Sequence, residues 1–303
     1  MGYLRFDDYV EKGTLTAIKV IQEISKVPKV NVFGYCLGGT LLGASLAVLA
    51  SRKEETINSV TFLATMLDFS DIGPMGDIVD EDLVNQLQEK LHKGGIMPGH
   101  EMEMAFNFLR PNDLIWNYFI DNYLKGKKPN TSDVNYWTND NTNLPGNMCL
   151  YYLKELVLQN RLSKRNATTI CGAPINLKKV KTPAMVIGLD TDHISPSKTT
   201  FTTTELLGGE VEFILGGSGH VMGAINHPSR NKYGYATGGE LDEGFEHWKL
   251  TSEKFPGSWW TPWSQWLTER SGGLRISRNK LGNRTFKEIV AAPGTYVLEK
   301  HCK

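Results

Sequence analysis

KVNVFGYCLGG, residues 29–39, is the stretch on which the reading of this 303-residue chain turns. Val30, Val32 and Phe33 read as a short buried strand that Gly34 breaks sharply. From Leu37 to Ser51 the residues are small or apolar, which suits a helix buried against a sheet on most of its surface. Between the two lies Gly34-Tyr35-Cys36-Leu37-Gly38, a G-x-nucleophile-x-G turn with cysteine where serine more often stands. Such a turn is strained, and side chains two residues to either side of the nucleophile are expected to collide with neighbouring backbone. The helix that follows presents its N-terminus to the sulfur, where partial positive charge and free N–H groups favour a thiolate. The Leu37 amide is the natural donor to an oxyanion.

A thiol nucleophile needs a base, and the base needs a carboxylate to orient it. In an α/β-hydrolase fold the chain order is nucleophile, acid, histidine, with acid and histidine each following a strand. The strand AMVIGL (184–189) leads into Asp190-Thr191-Asp192-His193, and EVEFIL (210–215) leads into Gly216-Gly217-Ser218-Gly219-His220. Either Asp190 or Asp192 fits the acid, and His193 competes with His220 for the base. The glycines before His220 favour it, because they let a loop place a ring over the turn. Cys149, Cys171 and Cys302 read as inert thiols, and His92, His100, His227, His247 and His301 as surface or loop residues. None of them has metal-ligand spacing, so no metal is expected.

Other segments give the organisation around these loops. Residues 14–27 carry Leu15, Ile18, Val20 or Ile21, and Ile24 at helical spacing, closed by Pro28. Residues 59–64 (SVTFLA) form the next strand. From about Leu67 to Leu177 polar turns separate amphipathic helices, for instance 81–92 and 113–124, and strand patterns are absent. The tail beyond Trp248 gathers Trp259, Trp260, Trp263 and Trp266. The chain therefore reads as one catalytic domain over 1–303, a mostly parallel sheet interrupted by a helical cap at about 68–177.

Basic and acidic residues number 33 each, so nothing global suggests a nucleic-acid partner. The N-terminus lacks a basic-then-apolar leader pattern, and Phe6 stands where a myristoylation signal wants Ser or Thr. The longest apolar stretch, about Leu41–Ala50, is too short to span a bilayer. Four scattered cysteines without a CxxC pair point to a reducing, cytoplasmic setting.

With these residues in place the chain resembles the polyhydroxyalkanoate synthases, closest to their class I type. The likeness rests on NVFGYCLGGT (31–40), TMLDFSD (65–71), FLRPNDLIWNYFIDNYLKG (108–126), DNTNLPGN (140–147), DHISP (192–196), GGSGHVMGAINHP (216–228), GSWWTPW (257–263) and APGTYV (292–297). The resemblance implies Cys36 as nucleophile, Asp192 as acid and His220 as base, with no cofactor. It implies an (R)-3-hydroxyacyl-CoA substrate, a growing polyester chain as product, and a homodimer whose contacts involve the cap. It also implies attachment to polyhydroxyalkanoate granules. Read on their own, Phe106, Phe108, Trp116, Tyr118, Phe119 and Tyr123 would be the core of that cap.

The chain departs from the pattern at its start, since only 35 residues precede Cys36. The first core strands of the fold, and the second oxyanion-hole amide that follows one of them, have no counterpart. One missing oxyanion donor costs about 100- to 1000-fold in rate. The expectation is a fragment or truncated frame with an exposed sheet edge. The alternatives to a synthase are a cysteine-type esterase or hydrolase, and an inactive subunit that associates with a fuller synthase.

Overall fold

The computed structural model describes residues 2–91, 94–109, 111–129, 131–277 and 281–299. His92, His301 and Cys302 lie outside them. A helix, α1 (Thr16–Ser25), precedes the first strand, β1 (Val30–Tyr35), and the long helix α2 (Leu37–Arg52) returns the chain to β2 (Ile57–Leu63). After a helical insertion come β3 (Ala184–Leu189), α3 (Ser197–Leu206), β4 (Val211–Gly216), α4 (His220–Ala224), β5 (Tyr235–Thr237), β6 (Glu253–Phe255) and α5 (Trp260–Glu269). The six strands form one sheet in chain order. β1 to β4 run parallel, and β5 and β6 close the far side antiparallel.

Strand periodicity divides the core between the two faces of the sheet. Val60, Phe62, Val186, Phe213 and Leu215 belong to one cluster that also takes in α2 and Phe201 of α3, while Met185, Ile187, Leu189 and Ile214 cluster with Trp259 and Trp266. β3 is buried at all six positions, the continuous apolar run expected of a parallel strand covered on both faces. α2 is buried from Leu42 through Leu49 on every side, as its small and apolar composition predicts.

Three local expectations need correction. β1 is not a buried strand: it stands at the edge of the sheet, hydrogen-bonded to β2 alone, and Phe33 is 46% exposed. Its ring meets Trp263 edge-on at 5.6 Å. α1 ends at Ser25, earlier than Pro28 would require, because Lys26 takes a left-handed conformation. The insertion does contain strands, two short antiparallel pairs at Ile96–Met97 with Leu144–Pro145 and Thr169–Ile170 with Ala173–Pro174. Two-residue pairs leave no alternation for a sequence pattern to register.

Within the insertion, helices run over Glu81–Leu91, Gly99–Leu109, Asp133–Thr138 and Gly146–Tyr151, with further helical turns over 112–116 and 119–124. Phe108, Trp116, Tyr118, Phe119 and Tyr123 are exposed rather than core. Phe119 stacks on Tyr123 at 5.2 Å and meets Trp116 edge-on at 6.1 Å. No helix among the described residues is long and apolar enough to cross a membrane.

The junction of β1 and α2 is the tightest point of the fold. A Cβ on Gly34 would lie 2.5 Å from the Gly39 Cα, and one on Gly39 would lie 1.9 Å from Thr65 Oγ1. A Cβ on Gly38 would meet nothing within 4 Å. The second glycine the turn needs is therefore Gly39, not Gly38. Gly34→Ala is expected to lower unfolding free energy by about 1–3 kcal/mol. Gly38→Ala, in an open helical position, should be neutral or stabilise by up to about 1 kcal/mol. Urea denaturation of the two variants beside the parent checks both values.

Candidate active site

The parallel strands deliver the chemistry-bearing residues to one edge of the sheet. Cys36 follows β1, Asp192 lies in the loop after β3, and His220 opens α4 just after β4. Carboxyl ends of parallel strands form the usual ligand-binding crevice of such sheets.

Cys36 has φ 53° and ψ −130°, a strained conformation for a residue with a side chain. Its N–H donates to Leu63 O at 3.0 Å, and its carbonyl accepts from the N–H groups of Gly39 and Thr40 at 2.9 and 3.2 Å. These bonds lock the turn from both sides and leave the thiol half-buried. Leu37 is the first residue of α2, so its N–H has no acceptor within the helix.

Of the two candidate acids, Asp190 is exposed and Asp192 is buried. Asp192 Oδ1 accepts from the N–H groups of Ile194 and Ser195 at 2.8 and 2.9 Å. Its Oδ2 accepts from His220 Nδ1 at 2.7 Å, between side chains that are 0% and 6% exposed. His220, rather than His193, is thus the imidazole that the buried carboxylate holds. Burial disfavours the charged ring, but the Asp192 hydrogen bond and the adjacent Cys36 outweigh it and push the His220 pKa up to about 9.

The loops that carry acid and base are joined directly, Thr191 N–H donating to Ser218 O at 3.2 Å. The left-handed residue of the base loop is Ser218, φ 78°, and not one of its glycines. Gly217 serves close approach instead: a Cβ there would lie 2.2 Å from Tyr233 O.

Two aromatic residues at the site carried no sequence signal of their own. Tyr35 stacks on the His220 ring at 5.0 Å and donates from its hydroxyl to His220 O at 3.0 Å. Tyr152, from the insertion, packs edge-on against Phe69. Burial raises its phenol pKa, and the charge of Cys36 adds to the rise. Tyr35 also lines an apolar cavity of about 410 Å³, walled by Phe33, Trp137, Ile225, Trp259, Trp260 and Trp263.

The remaining candidates lie elsewhere. Burial pushes the thiols of Cys149 and Cys171 up to about 11, and Cys171 donates from Sγ to Asp7 O at 3.4 Å. His100 and His227 are exposed, and His247 sits on a helix against Glu240 and Glu243. Among the described residues no cluster of His, Cys, Asp and Glu is placed to hold a metal ion.

Comparison with known proteins agrees with this architecture. Residues 5–224 match the family model described as the alpha/beta hydrolase fold. The poly(3-hydroxyalkanoate) polymerase subunit PhaC of Cupriavidus necator is 42% identical over 301 residues, covering 97% of this chain and 51% of that protein. The corresponding subunit of Rhizobium etli is 38% identical over 292 residues, covering 96% and 46%. The poly(3-hydroxyalkanoate) polymerase of Methylorubrum extorquens is 38% identical over 296 residues, covering 97% and 49%. The chain spans about half the length of the curated relatives it matches.

The raised pKa of His220 has a consequence for stability. The ring binds its proton more tightly folded than at its ordinary value of 6.5. Its contribution is therefore complete below about pH 6.5 and is lost as pH rises through about 9. Denaturation followed between these limits should show a fall in stability that His220→Gln flattens.

Proposed function

The chain belongs to the α/β-hydrolase fold family and matches poly(3-hydroxyalkanoate) polymerases along nearly its whole length, and from that premise we propose that it is an acyltransferase polymerising (R)-3-hydroxyacyl-CoA through a thioester on Cys36. The observation that carries the reading is the buried Asp192–His220 pair beside a strained cysteine at a helix N-terminus. Cys36, His220 and Asp192 act as nucleophile, base and orienting acid, and the Leu37 amide receives the oxyanion.

With a proton on the His220 ring, Sγ attacks the thioester carbonyl, and negative charge develops on the carbonyl oxygen near the Leu37 N–H. Collapse expels the CoA thiolate, which takes the proton from His220 Nε2. Exchange of one thioester for another keeps the acyl group activated, which an ester on serine would not do. In elongation a 3-hydroxyl must lose its proton as it attacks an acyl thioester. Asp192 is poorly suited to that task, since both its oxygens are occupied and its side chain is 0% exposed. His220 Nε2, turned away from Asp192, is the base we assign to it. The thiolate of Cys36 is the leaving group in that step and is returned for the next cycle.

The insertion acts as a cap that keeps water from the acyl-enzyme, a reading supported by the electrostatic effect of Cys36 on the buried Tyr152 phenol. The proposed partners are the CoA thioester, the growing polyester, a second copy of the chain and the polyhydroxyalkanoate granule surface in the cytoplasm. The exposed aromatics of 116–123 are apolar surface suited to the latter two contacts.

The test is CoA release from (R)-3-hydroxybutyryl-CoA, with polymer and free acid recovered separately. Polymer accompanied by CoA is expected from the parent chain, and Cys36→Ala should abolish both. Free 3-hydroxybutyrate without polymer would replace this reading with a hydrolase. No release by a folded chain would replace it with a subunit that needs a fuller partner.

A further inference from the structure

The base-bearing helix α4 spans only His220–Ala224. A single turn of helix has too few internal hydrogen bonds to fix its own geometry. Its shape is held from outside, by aromatic donors that take its carbonyls one by one. Trp259 Nε1 donates to Gly223 O at 2.8 Å, Trp260 Nε1 to Ala224 O at 3.0 Å, and the Tyr35 hydroxyl to His220 O at 3.0 Å. The two tryptophans grip the far end of the helix. Tyr35 alone of the three grips the residue that carries the imidazole.

Strand alternation explains how Tyr35 comes to do this. Gly34 faces α2, so Tyr35, one residue on, faces the opposite side of the sheet, where the tryptophan cluster and α4 lie. Its ring covers one face of the His220 imidazole at 5.0 Å and an interplanar angle of 30°, and Tyr35 also lines the apolar cavity. Asp192 fixes the ring through Nδ1. That bond alone still allows the ring to pivot about the Nδ1–Oδ2 line. The Tyr35 face contact removes the pivot. Burial keeps the Tyr35 hydroxyl far above its ordinary pKa, so it stays a donor.

We propose that Tyr35 is the positioning residue of the base: by stacking on His220 and holding its backbone carbonyl, it sets the imidazole over the sulfur of its own chain neighbour, Cys36. Nucleophile and base are thereby registered to each other by two adjacent residues, Tyr35 at the end of β1 and Cys36 just after it, independently of how the loop after β4 is set. The inference rests on the Cys36–His220–Asp192 reading, and its test separates the two.

The experiment is the rate of Cys36 carboxamidomethylation by iodoacetamide across pH, read by peptide mass spectrometry on the full chain. Circular dichroism melts establish that each variant is folded. The parent should label faster near neutral pH than a free cysteine peptide. Tyr35→Leu, which loses both contacts, should label at least about tenfold more slowly there, because the rate follows the fraction of thiolate the base supports. At strongly alkaline pH, where hydroxide ionises the thiol unaided, the two rates should converge. Tyr35→Phe keeps the stack and loses the hydroxyl, and should fall between them. If Tyr35→Leu does not fold, Tyr35→Phe decides by the same profile. A folded variant whose profile superimposes on the parent's overturns the positioning role and leaves the triad intact. A parent that labels no faster than the free peptide overturns the triad and the proposal together.

Discussion

Between β1 and α2 the backbone of Gly34 meets that of Gly39 with no room for a methyl group, and the chain can pass only if Cys36 bends into a left-handed conformation. That one close approach sets the direction of the thiol, the exposure of the Leu37 N–H and the side of the sheet to which Tyr35 points. Strain of this kind costs on the order of 1–3 kcal/mol and persists only where its surroundings over-determine it. Here the surroundings are the hydrogen bonds of Cys36 to Leu63, Gly39 and Thr40, and the buried faces of β2 and α2.

The acid and base depend on the same sheet in a different way. Parallel pairing of β3 with β4 brings the ends of both strands level, so the loops that follow can hydrogen-bond to each other and close on a carboxylate–imidazole contact. A buried charged pair is costly unless its remaining hydrogen-bonding capacity is satisfied. Asp192 meets that condition through two backbone N–H groups, and His220 keeps Nε2 for chemistry.

How far the sequence could be read depended on the range of the interaction concerned. β3 and β4 were legible to within a residue, because continuous apolar runs report burial, whereas the three-residue strands β5 and β6 carried no pattern long enough to read. The acid was legible only as one of two aspartates, since spacing cannot tell which carboxylate a loop turns inward. Aromatic residues from 108 to 123 misled for a related reason. Helical periodicity says that a face is apolar, and it says nothing about whether this chain supplies the layer to cover it. Phe33 misled likewise, for β1 has a neighbour on one side only.

By itself the sequence determined the nucleophile turn, the order of acid and histidine behind their strands, and a helical insertion between two runs of sheet. Those follow from local sterics and from periodicity, which are written residue by residue along the chain. Tertiary structure decided that Gly39 rather than Gly38 makes the close contact, that Asp192 and His220 rather than Asp190 and His193 form the buried pair, and that Tyr35 lies on the imidazole. Each of these is a contact between segments brought together by parallel strand pairing. Distances of 2.7 to 5.0 Å across 28 and 185 residues of chain are properties of the packed sheet, and no local pattern encodes them.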